Sequence, residues 1–243
     1  MRLGERHMKD NELERVESLS DWYLREQLDF DKRLIRFRYE TIKPFLVGPR
    51  GLELGPAEGE MTQFLLNDFD QLTIVEGASD LLAQIPARMN LIKIHALFEE
   101  FHPEYLFNSI ILEHVLEHVE DPVKLLSRVK NWLSPNGRLF LGVPNGNSIH
   151  RLVAVKMGLL DNPCQLNPRD HALGHRRVYT TESLRSDLEK SGLKVIETGG
   201  VFFKPLSNAQ IQENWSEKMI QGFYELGKDF PEIAAEIYAV CTA

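Results

Sequence analysis

From Gly51 onward the chain alternates short apolar runs with stretches of mixed apolar and charged residues. The runs are GLELG (51–55), LTIVE (72–76), LIKIHA (91–96), SIILEH (109–114) and RLFLGVP (138–144). Strands covered by helices on both faces have this continuous apolar character, because neither face meets water. Between the runs the pattern predicts helices near 59–67, 79–85 and 121–133. Asp121-Pro122 opens the last of these and Pro135-Asn136-Gly137 follows its end. Thr180 or Thr181 then caps a helix reading TESLRSDLEKS, closed by Gly192. LKVIETGGVFF predicts a sixth strand, residues 208–227 a helix, and EIYAVCTA a final strand. The alternation predicts an α/β fold: a doubly wound, mostly parallel seven-stranded sheet with helices on both faces.

Two regions depart from that rhythm. Leu13, Val16 and Leu19, then Leu24 and Leu28, then Leu34, Ile35 and Phe37 recur at three-to-four spacing among charges. They predict N-terminal helical additions over 12–46, ended by Pro44 and Gly48-Pro49. The organisation expected is a helical cap over 1–48 and a main domain over 49–243. Residues 145–180 scatter Asn, Gly, Pro and His. A structureless stretch that long belongs in a compact domain only where it serves a site, so it is read as an insert lining one.

Composition narrows the partners. A formal net charge of −8 argues against gripping polyphosphate over a broad surface, so no nucleic-acid partner is expected. Cys164 and Cys241 are far apart and lack metal-ligand companions, which predicts a reducing compartment without a disulfide framework. The opening residues are charged throughout, and no apolar run approaches the ~18 residues of a membrane span. The expectation is a soluble, cytoplasmic protein with no membrane partner. Nothing in the pattern determines the oligomeric state.

The chemistry begins at Glu53-Leu54-Gly55-Pro56-Ala57-Glu58-Gly59, between the first strand and the first helix. Glycines there let the backbone approach a ligand, and the helix start offers unpaired N–H groups. Glu76 ends the second strand about 20 residues on, where a carboxylate can accept from both hydroxyls of a ribose. A dinucleotide fingerprint, G-x-G-x-x-G, would place glycine at 57 to admit pyrophosphate. Ala57 stands there instead, and Glu58 and Glu60 load the helix start with negative charge. That charge repels phosphate and tolerates an ammonium and a sulfonium.

ELGPAEG, IVEG, HALFEEF, SIILEHVLEHVEDP and GRLFLGVPN, in that order, resemble the motif series of class I, Rossmann-like S-adenosylmethionine-dependent methyltransferases. The resemblance is closest to the small-molecule group that includes ubiquinone-biosynthesis and sugar O-methyltransferases, and it runs from about Gly51 onward. It implies S-adenosyl-L-methionine as cofactor, a small-molecule acceptor, an antiparallel last strand, and an acceptor-site insert over 145–180. Carried over, Glu53 and the backbone of Gly55, Pro56, Ala57 and Gly59 hold the methionine amino and carboxyl end. Glu76 binds the ribose, Ala96 and Leu97 flank the adenine, and Glu113 and His114 border the methionine and the reacting sulfur. Ala57 replaces a glycine usual in the family. His95-Ala96-Leu97 lacks the acid that often takes the adenine amino group, which leaves adenine to backbone groups. Leu54, Ala96 and Leu97 also read simply as core residues.

Methyl transfer is an in-line displacement that the protein serves mainly by alignment, although a high-pKa oxygen acceptor also needs a base. His114, His118, His150, His171 and His175 all follow strands or stand in the insert. His118, in LEHV, occupies the position where some sugar O-methyltransferases place their base; its alternative is to stabilise the turn with Glu117. His175, in GHRRVYT, stands in a segment that commonly faces the acceptor. These two are the catalytic candidates. His171 and His175 have the spacing of a metal pair on a helix. Gly174 within DHALG argues against a helix there and no third ligand stands out, so no metal is expected.

Arg176 and Arg177 are candidate partners for an anionic group on the acceptor, the alternative being two solvated arginines. Ser207 or Asn208 is expected to cap the next helix, with Lys204 to Asn208 forming a lip over the acceptor. Trp22, Tyr23 and Arg38 are candidates to close over the cofactor, with plain packing as the alternative for the aromatic pair. Nucleic-acid amino-methyltransferases carry D/N-P-P-aromatic after the fourth strand, whereas this chain has Glu113-His114-Val115-Leu116. The function expected is methylation of a hydroxyl on a sugar or cell-surface saccharide precursor. The alternatives are N- or ring-methylation of another small metabolite, a dehydrogenase, and a catalytically silent cofactor-binding subunit.

Overall fold

Each apolar run becomes a strand of one sheet in the computed structural model, which describes residues 11–20 and 29–243. The strands are β1 (Arg50–Leu54), β2 (Gln71–Glu76), β3 (Leu91–His95), β4 (Phe107–Glu113), β5 (Leu133–Pro144), β6 (Lys194–Val201) and β7 (Glu236–Thr242). Their order is β3-β2-β1-β4-β5-β7-β6. β1, β2, β3, β4 and β5 pair in parallel, and β7 lies antiparallel between β5 and β6. The chain winds outward from β1 to β3 and then returns to β4 on the other side. The border of β1 and β4 is therefore the switch point, and ligands of such sheets bind beyond the strand ends there.

The helices are α1 (residues 11–20), α2 (Asp29–Ile42), α3 (Glu60–Leu65), α4 (Ser79–Gln84), α5 (Pro122–Lys130), α6 (Ile149–Lys156), α7 (Pro168–Ala172), α8 (Thr181–Ser191), α9 (Asn208–Asn214) and α10 (Glu217–Asp229). They cover both faces, as two separate cores demonstrate. On one face Leu52, Ile110 and Leu139 of the sheet pack with Leu125 of α5 and Leu184 of α8. On the other, Ile74, Ile111 and Phe140 pack with Ile42 of α2 and Met61 and Leu65 of α3. Alternate residues of one strand enter opposite cores, which is why the runs are mostly apolar and do not alternate with polar residues. The other side of α2 presents Phe30, Leu34 and Phe37 to Phe202, Ile211 and Tyr224.

Local signals set most boundaries. Asp121 caps α5 by accepting from Lys124 N–H, and Pro122 follows at the first position. Thr180, not Thr181, caps α8, and Gly192 ends it at φ 76°. Three expectations need correction. The helix foreseen over 208–227 is broken at Trp215, because Ser216 caps a new helix by accepting from Met219 N–H. Pro135-Asn136-Gly137 lies inside β5, as an irregularity that shifts the register against β4. The stretch 145–180 is not structureless, since it holds α6 and α7. Buried Arg151 ties the two together, donating to Pro163 O at 2.7 Å, to Gln165 O, and to Asp170 at 3.2 Å. Trp22, Tyr23, Leu24 and Leu28 lie outside the described residues. Among the described residues no helix is long and apolar enough to cross a membrane.

Candidate functional site

Beyond β1 the chain makes a turn held by backbone conformation. Gly55, Ala57 and Gly59 all have positive φ, at 71°, 47° and 83°. Ala57 thus occupies the region that disfavours a side chain, at the very position where the expected motif carries glycine. Glu76, at the end of β2, holds the turn in place. Its carboxylate accepts from Ala57 N–H at 3.2 Å and from Ala78 N–H at 2.9 Å. A Cβ on Gly55 would lie 3.0 Å from Val115 Cγ2, so the glycine also lets the turn approach the β4 exit. Glu53, buried in β1, accepts from Thr62 Oγ1 at 2.6 Å, and burial pushes its carboxyl up to about 7.

A cavity of 320 Å³ opens at this switch point. Glu53, Gly55, Pro56 and Ala57 form one part of its wall, and Glu113, His114, His118 and His175 another. Four residues expected at the site are not on the wall. Gly59 packs against Ile85, and Ala96 N–H donates to Glu76 O. Leu97 is buried, and Glu76 lies beneath the turn. Their side of the sheet edge is covered by α1. Val16 abuts Gly77, Glu17 accepts from Ser79 N–H at 3.1 Å, and Glu17 lies 3.5 Å from His95.

The wall after β4 is a cluster of buried ionisable groups. The carboxyl oxygens of Glu113 and Glu117 are shielded from solvent and have no hydrogen-bond partner, and burial pushes both groups up to about 8. The Glu113 side chain packs over Gly142, where a Cβ would collide with it. His114, at φ 55°, places Nε2 3.3 Å from Glu236 Oε1 and Nδ1 3.5 Å from Glu117 Oε1. Arg38 Nε lies 3.1 Å from Glu236 Oε2. Burial alone would raise Glu236, but Arg38 and then His114 outweigh it and hold the group at about 2.

His118 and His175 meet edge to face with ring centroids 4.8 Å apart. Burial, and then the neighbouring His175, lower His118 to about 3, so it stays neutral near pH 7. His175 is oriented differently. Its Nδ1 lies 3.0 Å from Asp170 Oδ1, while Asp170 Oδ2 accepts from Arg151 at 3.2 Å and from Asn167 N–H at 2.9 Å. Burial opposes ionisation of Asp170, yet the His175, Asn167 and Arg151 contacts bring it down to about 2. An ionised carboxylate at Nδ1 assigns the proton to that nitrogen and leaves Nε2 as the basic atom.

Arg176 and Arg177 are not anion receptors. Arg176 donates to His118 O at 2.8 Å and pairs with Glu12, while Arg177 donates to the carbonyls of Leu116, Val119 and Glu120. Together they hold the β4–α5 turn. Glu117, His118 and His175 bring their ligand atoms within 4.8 Å of one another, a grouping suited to a cation. The fold thus supplies His175 with Glu117 and His118 as companions, in place of the His171 suggested by spacing. Asp170, Arg151 and Glu236 were not foreseen as site residues. Only the Asn167-x-x-Asp170 capping box leaves a local trace, and it points to a helix start rather than to a histidine partner.

A methyltransferase domain family matches residues 24–198. The ubiquinone biosynthesis O-methyltransferase of Rhizobium etli is 29% identical over 122 residues, covering 50% of this chain and 47% of that protein. Its counterpart in Xanthomonas euvesicatoria is 22% identical over 188 residues, covering 72% and 74%. The chain spans about half the length of the first of these curated relatives. In fold it resembles an S-adenosylmethionine-dependent methyltransferase from Mesorhizobium loti, with TM-score 0.62, 15% identity, and coverage of 85% of this chain and 98% of that one. It also resembles the N-methyltransferase NodS from Bradyrhizobium japonicum in complex with S-adenosyl-L-homocysteine, with TM-score 0.57, 17% identity, and coverage of 94% and 95%.

Proposed function

The chain belongs to the methyltransferase domain family, and from that premise we propose that it methylates a hydroxyl of a small polar acceptor, of the sugar class, using S-adenosyl-L-methionine. The observation that carries the reading is a single cavity, walled by the Gly55–Ala57 turn at one part and by a carboxylate-oriented histidine at another. The donor fits the residues present. Gly55 lets the turn pack closely on Val115 beside the cavity, and the buried Glu113 carboxyl oxygens have no partner. A positively charged ligand would offset the burial that pushes Glu53 up to about 7 and Glu113 up to about 8, drawing both toward their ionised forms. When bound, S-adenosyl-L-methionine supplies a methyl group activated by a sulfonium.

The turn of Gly55, Pro56 and Ala57 presents backbone to the methionine end, with Glu53 toward its ammonium. His175 Nε2 takes the proton of the acceptor hydroxyl. Asp170 keeps the imidazole in the right tautomer and stabilises the imidazolium that forms. Arg151 and Asn167 keep Asp170 ionised and in position. His118 packs edge-on and restricts the ring. A group held at about 3 is a weak base near neutral pH, so the proton goes to His175.

Calorimetric titration tests the donor: S-adenosyl-L-homocysteine binds and NAD does not. Uptake of NAD with indifference to S-adenosyl-L-homocysteine would sink the reading. The Glu117–His118–His175 grouping favours a second reading, in which the two histidines are cation ligands. Turnover would then be lost to a chelator and restored by a divalent cation, whereas a histidine base predicts insensitivity to both.

A further inference from the structure

Three cations of the cavity wall are matched by carboxylates. Arg38 lies 3.1 Å from Glu236, Arg151 3.2 Å from Asp170, and Arg169 3.8 Å from Asp31. Lys204, on the same wall, is not. Its Nζ donates to Asn208 Oδ1 at 3.0 Å, a neutral amide oxygen, and no ion pair joins it to a carboxylate among the described residues. Asn208 is committed in turn, since its amide donates to Asp31. An ammonium has three N–H donors, and taking it out of water is costly unless an anion compensates. Burial lowers the Lys204 pKa to about 8, with Glu236 opposing the shift and Arg169 adding to it.

The backbone that delivers Lys204 is strained. Phe202, just past β6, has φ 61°, and a bulky residue seldom adopts that region. The surroundings enforce it. Phe202 is fully buried, with its ring 5.2 Å from Phe30 and 5.9 Å from Phe37. Its carbonyl accepts from Ala235 N–H at 2.7 Å, and Phe203 N–H donates to Phe223 O at 2.9 Å. Gly227 packs against the Phe202 backbone so closely that a Cβ would collide with it. Strain of this kind persists where packing over-determines it, and it gathers at ligand clamps. Nearby, His150 Nδ1 is buried without a partner on the same wall. Burial, then the charges of Lys204 and Arg151, lower His150 to about 3. Arg151 adds positive charge at both groups, while Glu236 and Asp31 act on Lys204 without forming an ion pair with it among the described residues.

We propose that Lys204 is the receptor for an oxyanion, a carboxylate or a phosphate, carried by the methyl acceptor. Asn208 orients the ammonium and Arg169 flanks it, while the acceptor hydroxyl faces His175. The inference rests on the methyl-transfer reading for calling the ligand an acceptor, and it deepens that reading by naming the acceptor's charge. The duty the sequence offered to Arg176 and Arg177 passes to Lys204, because both arginines are occupied by turn carbonyls.

The test titrates inorganic phosphate, glycolate and neutral glycerol into protein saturated with S-adenosyl-L-homocysteine, followed by NMR. Saturable binding of phosphate or glycolate, and none of glycerol, is expected; the tighter anion names the group. Lys204→Met weakens that binding roughly tenfold or more, as loss of a charged hydrogen bond predicts, and Lys204→Arg retains it. S-adenosyl-L-homocysteine affinity stays the same in all three proteins. Lys204→Met also raises the thermal midpoint, because an uncompensated ammonium is replaced by an apolar chain. Absence of anion binding, equal binding by Lys204→Met, or a lowered midpoint would each overturn the proposal. If the wild type ignores S-adenosyl-L-homocysteine, the methyl-transfer reading fails instead. The same anion titrations on ligand-free protein then still decide the role of Lys204.

Discussion

The turn after β1 and the wall around His175 border one cavity but are built in different ways. The turn uses neighbours in the chain: Glu76 accepts from Ala57, 19 residues earlier, and from Ala78, two residues later. Its demands are conformational, met by three positive-φ residues in close succession. The other wall collects groups from remote segments. Arg15 reaches His118 O across 103 residues, and Asn208 reaches Asp31 across 177. Its demands are electrostatic, because Asp170, Arg151, Glu117 and Glu236 are buried and must be matched or neutral. The difference teaches where each end is fragile. A side chain in the wrong conformation damages the turn, and a missing counter-charge damages the wall.

The sharpest way to separate the two ends is His175→Ala. It lowers kcat by ~10²–10⁴-fold, the usual range for a positioned base, and leaves S-adenosyl-L-homocysteine affinity unchanged. The measurement uses whichever hydroxylated acceptor turns over in a screen. If His175→Ala and His118→Ala both keep the wild-type kcat and pH dependence, the wall only aligns and neither histidine is the base. Next in size, Asp170→Ala leaves buried Arg151 without its carboxylate and destabilises the fold by about 3 kcal/mol. Urea unfolding reads this directly. A negligible loss would mean that the Pro163 and Gln165 carbonyls alone satisfy the guanidinium.

Gly55→Ala strikes the other end. Forcing a side chain into the left-handed region costs ~1–2 kcal/mol, so S-adenosyl-L-homocysteine binds roughly tenfold more weakly. An unchanged affinity would remove the turn from the donor site. The smallest effect is a slope of stability with pH. Glu53 rises from 4.5 to about 7, and Glu113 and Glu117 from 4.5 to about 8. Raised carboxyls stabilise the fold below their unfolded value and lose that contribution as pH climbs through the folded one. Below 6.5, His118 and His150, both lowered to about 3, oppose this trend, since unfolded histidines take up protons there. Between pH 6.5 and 8 the carboxyls act without that opposition, so the thermal midpoint falls across the window. Glu117→Gln flattens the fall by at most ~1.4 kcal/mol per pH unit; an unaltered slope would show that Glu117 does not titrate there.

Strand and turn signals were legible because they are local. LTIVE and SIILEH read as buried strands from composition alone, and Asp121-Pro122 and Gly192 mark helix ends by their own backbone preferences. The turn around Ala57 was legible for the same reason, whereas the bonds from Ala57 N–H and Ala78 N–H to the Glu76 carboxylate were not. The break at Trp215 was missed although Ser216 is a capping residue, since the apolar spacing runs through it. The insert was harder. Arg151, Asp170 and His175 form a unit only once α6 and α7 fold together, and no period or spacing announces that meeting.

The sequence by itself determined the layered architecture, the strand–turn–acid arrangement of β1 and β2, and the family. All of these follow from backbone propensity and from which residues avoid water. The tertiary structure alone decided which histidine has Asp170 behind it, that Arg176 and Arg177 serve a turn, and that Lys204 forms no ion pair among the described residues. Those facts are distances between charges from distant segments. Charge interactions depend on separation and burial, and neither exists until the chain has folded.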